Sequence, residues 1–296
     1  MSHLKTISSL IGDQSPIQSR YLEESLGRLS SADKHDLESL LTFYQSQGFT
    51  DSFVAESYLQ VVEDILAEQI FFRKNKKYRF SSFSEVKDAV YFSDEYMTRY
   101  MIGLALTQYL WGNHKKILEF FANELPASHF GKYLEVGFGH GLYFLKSIQQ
   151  KKFKSFTGLD LSPKSVELTK AMIEFHAKAE FHLECADFLT WNTSQFFDAV
   201  VLGEIIEHVE KPDEFLMKAK GMTAPMGSIF VSTCLNAPAI DHIYLFTELR
   251  EVEELFMKTG LKIRKQLILP HENTSLKESQ EKSLPINVGY ILNHAD

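Results

Sequence analysis

The chain has 296 residues, 44% of them hydrophobic and 24% charged, with a formal net charge of −8. That length suits one large or two modest globular domains, and the acidic balance argues against a broad polyanion-binding surface, so nucleic acid is a disfavoured partner. The two cysteines, Cys185 and Cys234, exclude a disulfide framework or a Cys-x-x-Cys metal site and read as core fillers. No apolar run is long enough to span a bilayer, and the opening Met-Ser-His-Leu-Lys lacks the apolar centre of a signal peptide, so a cytoplasmic location is expected.

Residues 1–125 carry helical spacing and few strand signals, and are expected to form a mostly helical cap. Leu37, Leu40, Leu41 and Tyr44 share one helical face, and the run Ser57 to Leu66 repeats the pattern. Phe71 to Phe80 predicts a small hairpin whose solvated tip is Arg73-Lys-Asn-Lys-Lys-Tyr-Arg79. A long helical stretch then runs from Ser93 or Asp94 through Trp111 and Lys115 to Phe121. Its Tyr96, Met97, Tyr100, Met101, Tyr109 and Trp111 are core candidates, some able to wall a cleft at a domain junction.

From Gly131 onward strands and helices alternate, which predicts an α/β domain over residues 126–296 with a parallel sheet covered on both faces. Tyr133-Leu-Glu-Val-Gly-Phe-Gly-His-Gly141 reads as a buried strand entering a glycine turn, followed by a helix from Leu142 to Gln150. Glycine suits a turn where the backbone must approach a ligand closely. Phe156-Thr-Gly-Leu-Asp160 is a second strand ending in a carboxylate placed for a ribose diol, and together these make a nucleoside-binding βαβ unit. A nicotinamide dinucleotide would want Gly-x-Gly-x-x-Gly, but Gly141 comes one residue early and Leu142 holds the reserved position. Ser162-Pro163 starts the next helix, with Ser162 as its cap. Further strands are expected at Phe197–Gly203, Gly227–Thr233, Leu261–Leu269 and Ile286–Leu292. An amphipathic helix from Glu248 to Lys258 is stopped by Gly260, and Pro270 to Pro285 reads as a polar, mobile loop.

Glu135-Val-Gly-Phe-Gly-His-Gly141 resembles motif I of the class I S-adenosylmethionine-dependent methyltransferases, written E/D-x-G-x-G-x-G. Over roughly residues 125 to 270, the resemblance implies a Rossmann-like seven-stranded methyltransferase sheet whose last two strands form an antiparallel edge hairpin. It implies that S-adenosyl-L-methionine lies across Glu135, Gly137, Gly139, Gly141, Asp160, Leu161, Asp187, Phe188 and Gly203. Asp160 would hold the ribose hydroxyls, and Asp187 the adenine amine. The helix and expected hairpin near residue 75 loosely resemble the winged-helix cap of plant-type and bacterial small-molecule O-methyltransferases.

After the fourth strand, Gly203-Glu-Ile-Ile-Glu-His208 sets two carboxylates three residues apart, with an imidazole beside the second. On a helical turn Glu204 can share a face with Glu207 or His208, and His242 arrives at the same sheet edge just after the fifth strand. An acceptor hydroxyl with a pKa of about 10 wants a base or a cation. His208, His242 and Glu204 are therefore catalytic candidates, and Glu204, Glu207, His208 and His242 could instead hold a divalent metal, Mg or Zn. This segment resembles that of the ubiquinone-biosynthesis O-methyltransferases and the RNA 3′-terminal 2′-O-methyltransferases, where two Glu and His ligands hold a metal. Thr233-Cys-Leu-Asn236 departs from the RNA family's Thr-Pro-Asn run. The expectation is O-methylation of a small, hydroxylated metabolite of the aromatic or natural-product type, as in secondary metabolism. N-methylation of an amine and RNA 2′-O-methylation stand as alternatives, and a homodimer is an allowed assembly.

Overall fold

The computed structural model describes residues 2–295. The N-terminal part is helical: α1 (His3–Gln14), α2 (Pro16–Arg28), α3 (Ser31–Ser46), α4 (Asp51–Asn75), the short α5 (Phe83–Val86), α6 (Asp94–Leu110) and α7 (Gly112–Glu124). Their starts follow capping chemistry. Ser30 and Asp33 form a reciprocal capping box on α3, and Thr50 accepts from Phe53 N–H on α4, each cap contributing about 1 kcal/mol.

Two local expectations give way here. No hairpin forms around residues 71–80, and among the described residues 2–131 there is no strand, so the winged-helix resemblance does not extend to this chain. Phe71 to Asn75 continue α4, which ends at Lys76 in the left-handed conformation (φ 55°). The basic cluster is partly internal: Arg79 turns back onto buried Glu68 at 2.8 Å and lies over the Phe71 ring at 4.4 Å. A side-chain pair and a stacked ring thus outweigh the turn signal of the polar run. The long helix expected through residue 121 breaks at extended Trp111 into α6 and α7.

The remaining elements are β1 (Lys132–Val136), α8 (Leu142–Gln149), β2 (Ser155–Asp160), α9 (Pro163–His176), β3 (Phe181–Cys185), β4 (Phe197–Gly203), α10 (Pro212–Met222), β5 (Thr223–Leu235), α11 (Leu249–Lys258), β6 (Leu261–Leu269), α12 (Leu276–Glu281) and β7 (Ile286–His294). The described strands form one sheet in the order β3-β2-β1-β4-β5-β7-β6. The first five pair in parallel, whereas β7 runs antiparallel to both β5 and β6. This is the expected Rossmann-like arrangement, with the antiparallel hairpin at the edge. Strand order reverses direction of growth between β1 and β4, the place where open α/β sheets leave a crevice at their carboxyl ends.

Each face of the sheet has its own apolar core. One is built on Leu134, Leu202, Val231, Phe256 and Tyr290, the other on Tyr133, Phe144, Phe230 and Phe121 of α7. A third core, of Leu37, Leu41, Tyr58, Ile102 and Leu106, fills the helical part and continues into Leu142 and Leu145 of α8 and Met172 of α9. Helix α6 crosses α4 closely, since a Cβ on Gly103 would strike the carbonyl of Ser57. The segment expected as a mobile loop contains α12 and is anchored to the cap. Glu272 accepts from Gly112 N–H at 3.0 Å, and Asn113 donates to the Pro270 carbonyl at 2.9 Å.

Candidate functional site

A cavity of about 1090 Å³ lies between the cap and the carboxyl ends of β1, β2, β4 and β5. Ligand pockets commonly measure about 300–1,000 Å³, so there is room here for more than one small molecule. The walls are mainly apolar on the cap side, where Met97, Tyr100, Met101 and Leu104 form one stripe of α6, spaced by three or four residues as one helical face requires, and Trp111 follows just past the helix end.

The floor is the glycine turn. Gly137, Gly139 and Gly141 all have positive φ (64°, 45° and 73°), which explains the residue type at all three. A Cβ on Gly137 would collide with Ile205, and one on Gly139 would lie 3.4 Å from Met101 Sδ, so α6 roofs the turn. Asp160 closes the second strand beneath it. One carboxylate oxygen accepts from Gly139 N–H at 2.9 Å and the other from Ser162 N–H at 2.8 Å. Burial pushes the Asp160 carboxyl up to about 6 despite these bonds. A carboxylate has about four acceptor positions, and the two left over match a vicinal diol. Ser162 also caps α9, accepting from Ser165 N–H at 3.2 Å.

Glu135 is buried on β1 and accepts from the Tyr133 hydroxyl. Burial raises its carboxyl to about 8, so it is protonated at neutral pH unless a cationic ligand draws it down. Leu161, Asp187, Phe188 and Gly203 all line the cavity as well. Asp187 is exposed and Phe188 buried beneath it. The expected cofactor residues therefore share one cavity, with the exception that Gly141 is turned toward Thr169 and Met172 and serves the turn itself.

The segment after β4 is a turn rather than a helix, entered through Glu204 at φ 52°. Its Glu207 carbonyl accepts from the backbone N–H groups of Ile243 and Tyr244, at 3.0 and 2.9 Å, which clamps it to the loop after β5. That clamp brings His208 and His242 edge to face, with ring centroids 4.6 Å apart. Nδ1 of His208 faces three acceptors: the Asp241 carbonyl at 3.1 Å, the Asp241 carboxylate at 3.4 Å and the Tyr91 hydroxyl at 3.2 Å. The Tyr91 proton is committed to Asp241 at 3.1 Å, so Nδ1 of His208 carries a hydrogen and Nε2 keeps the lone pair. His242 donates from Nδ1 to the Ala237 carbonyl at 2.7 Å, and burial pushes its imidazolium down to about 3.

Sequence reasoning missed the partners. Asp241 also accepts from the Tyr100 hydroxyl at 3.0 Å, so one buried carboxylate gathers two phenols of the cap and one imidazole of the sheet edge. Its neighbour His242 was a signal for Asp241; nothing local to Tyr91 or Tyr100 was. The expected metal set is divided. Among the described residues, His208, Asp241 and His242 converge, as do Glu207, Cys234 and His242, in each case with ligand-type atoms within 4.8 Å of one another. Glu204 joins neither group. Glu207 is fully buried behind the cavity wall and accepts from Thr233 Oγ1 at 2.8 Å. Burial and then neighbouring Glu204 raise its carboxyl strongly. Cys234 is the buried core residue that was expected, whereas Cys185 is exposed.

Comparison with known proteins agrees with this geometry. The methyltransferase-domain family matches residues 97–277, well over half of the chain. A ubiquinone biosynthesis O-methyltransferase of Coxiella burnetii is 29% identical over 147 residues, covering 49% of this chain and 61% of that protein. The enzyme of the same description from Xanthomonas axonopodis pv. citri is 28% identical over 107 residues, covering 36% and 44%. The chain thus spans about half the length of the curated relatives it matches. Among solved structures, the cyclopropane synthase MmaA2 of Mycobacterium tuberculosis superposes with a TM-score of 0.51 at 14% identity, over 62% of this chain and 85% of that one. The cyclase SpnF superposes with a TM-score of 0.51 at 12% identity, over 63% and 82%. At such identity the likeness is one of fold, and fold alone does not assign chemistry.

Proposed function

The chain belongs to the methyltransferase-domain family, and on that premise we propose that it transfers a methyl group from S-adenosyl-L-methionine to a hydroxyl of a small, largely apolar acceptor. One observation carries this reading: the glycine turn with Asp160 and the His208–Asp241 pair open on the same cavity, roofed by aromatic and methionine side chains of α6. The partial match to ubiquinone biosynthesis O-methyltransferases supports a hydroxyl acceptor with an apolar body.

The cofactor, when bound, supplies an activated methyl on a positively charged sulfur. Asp160, with two acceptor positions to spare, would hold the ribose; Asp187 and Phe188 would meet the adenine, and Glu135 and Gly203 the remainder. His208 is the base. Its Nδ1–H is held by Asp241, so Nε2 would take the proton of the acceptor hydroxyl, which the cofactor's methyl replaces as its bond to sulfur breaks and S-adenosylhomocysteine is left. Asp241 then faces the imidazolium it has oriented. Alignment inside a closed, apolar cavity supplies much of the remaining acceleration. His242 stands edge-on to His208 and shapes the same wall. Residues 1–125 act as the cap that selects the acceptor.

Convergence of His208, Asp241 and His242 favours one second reading, in which those three hold a Mg or Zn ion that lowers the acceptor's pKa. Turnover of a panel of phenols and catechols, read as S-adenosylhomocysteine release, tests the proposal. His208→Ala should abolish turnover while S-adenosylhomocysteine still binds. Absence of release with every hydroxyl acceptor, or full activity of His208→Ala, refutes it. Loss of activity in EDTA with recovery on adding Mg²⁺ or Zn²⁺ selects the metal reading.

A further inference from the structure

Between α4 and α6 the chain forms a short strap, residues 81–92, that borders the cavity where His208 stands. Phe83 and Tyr91 of this strap line the cavity. Their ring centroids are 5.5 Å apart, and Phe92 meets Phe83 edge-on at 6.5 Å. The strap has little core of its own. Helix α5 within it is one turn long, only Val86 and Val90 are buried, and Phe92 is 49% exposed.

Most of its hydrogen bonds close on the strap itself or on Ser93. Glu85 accepts from the N–H groups of Ser81 and Ser82 at 2.9 and 3.0 Å, and the Lys87 carbonyl accepts from Phe92 N–H at 2.9 Å. Among the described residues, two attachments alone tie it to the sheet edge. Phe83 N–H donates to the exposed carboxylate of Glu210, two residues past His208, at 2.8 Å. The Tyr91 hydroxyl donates to Asp241 at 3.1 Å, and its oxygen stands 3.2 Å from His208 Nδ1. A segment with so little buried apolar surface, held by two attachments, opens at lower cost than the helices on either side.

We propose that residues 81–92 shut over the acceptor, and that Tyr91 is a positioning residue that ties this closure to the orientation of His208. With the strap lifted, the acceptor enters between Phe83 and the turn after β4. Asp241 then keeps the Tyr100 hydroxyl, which sits on α6, but loses that of Tyr91, and water takes its place beside the imidazole. With the strap shut, Tyr91 returns its hydrogen to Asp241 and completes the surroundings of His208 Nδ1. The base is thus held in place as the acceptor is enclosed and bulk water is excluded.

This inference rests on the hydroxyl-acceptor reading above, and two readouts separate them. The first is amide hydrogen–deuterium exchange on the whole chain with S-adenosylhomocysteine present. Glu210→Ala and Tyr91→Phe should each speed exchange across residues 81–92 about fivefold, the size expected for one hydrogen bond, while α4 and α6 exchange as in the native protein. The second is steady-state kinetics with a phenol that the native protein methylates. Glu210→Ala should raise the acceptor KM about fivefold and leave kcat near native, and Glu210→Gln, which keeps an oxygen for Phe83 N–H, should recover most of that loss. Tyr91→Phe should raise KM to a similar degree and also lower kcat about fivefold, a second effect that a merely structural hydroxyl would not have. Native exchange across the strap in both variants, or a native kcat in Tyr91→Phe, overturns the proposal. If the native protein methylates no hydroxyl acceptor, the acceptor reading fails, and the exchange result by itself decides for or against the strap.

Discussion

Lowering the pH below 6 should weaken binding of the cofactor product through a single group, Asp160. Its carboxyl is pushed up to about 6 by burial, and its two oxygens already accept from Gly139 and Ser162 N–H. Only the ionised form has two acceptor positions left for a diol. Binding therefore requires the ionised form, and affinity falls as pH drops through the pKa of the free protein. With a pKa of about 6, some ten-elevenths of the group is ionised at pH 7 and one-eleventh at pH 5. The dissociation constant for S-adenosylhomocysteine should thus rise about tenfold between those values, about 1.4 kcal/mol. Stability of the free protein moves the other way. The native carboxyl binds its proton more tightly than the ordinary 3.8, so this group's contribution is fully present below about pH 4 and is lost as pH rises through about 6. Calorimetric titration from pH 5 to 8 measures the first effect, and Asp160→Asn is the control. That variant should bind roughly ten- to a hundredfold more weakly at pH 7.5, having lost charge-assisted bonds of about 1.5–3 kcal/mol, and should lose the inflection near pH 6, leaving only the slope toward pH 8 that belongs to Glu135. A native profile without that inflection, or an Asn variant that keeps it, refutes the assignment.

Asp241→Asn should lower kcat at least tenfold with S-adenosylhomocysteine affinity unchanged, because it disturbs the hydrogen on His208 Nδ1 without touching the glycine turn; a fall in cofactor affinity of equal size would contradict it. Tyr100→Phe removes one of the two phenols on that carboxylate and should raise KM or lower kcat by a smaller factor, seen in steady-state kinetics. Gly137→Ala forces a Cβ into Ile205 at a positive φ, so cofactor binding by calorimetry should be lost and stability should fall by about 1–3 kcal/mol. Ile205→Ala in the same chain should recover part of the loss. Gly103→Ala, whose Cβ would meet the Ser57 backbone, should lower the thermal midpoint by separating α4 from α6, a loss on the order of 1–3 kcal/mol.

Local chemistry along the chain determined the sheet half of this protein. Glycines at alternate positions after an apolar run, an acid at the end of the next strand, and alternation of strand and helix patterns are read within a few residues of each other. They required positive φ at 137, 139 and 141 and placed Asp160 under the turn, as the structure has them. The same local rules failed where distant contacts outweigh them. The basic run at 73–79 carries turn chemistry, but Arg79 pairs with Glu68 and stacks on Phe71, so α4 continues to Asn75. Pro270 to Pro285 is polar, yet Glu272 and the Pro270 carbonyl are bonded to the cap. The division of the expected metal set, and the meeting of Tyr91 and Tyr100 with Asp241 across 150 and 141 residues of chain, had no local signature at all. The two phenol pairings are fixed by how α6 and the turn before it lie over the sheet edge, a packing decision made by apolar surface on both partners and invisible to any window of sequence.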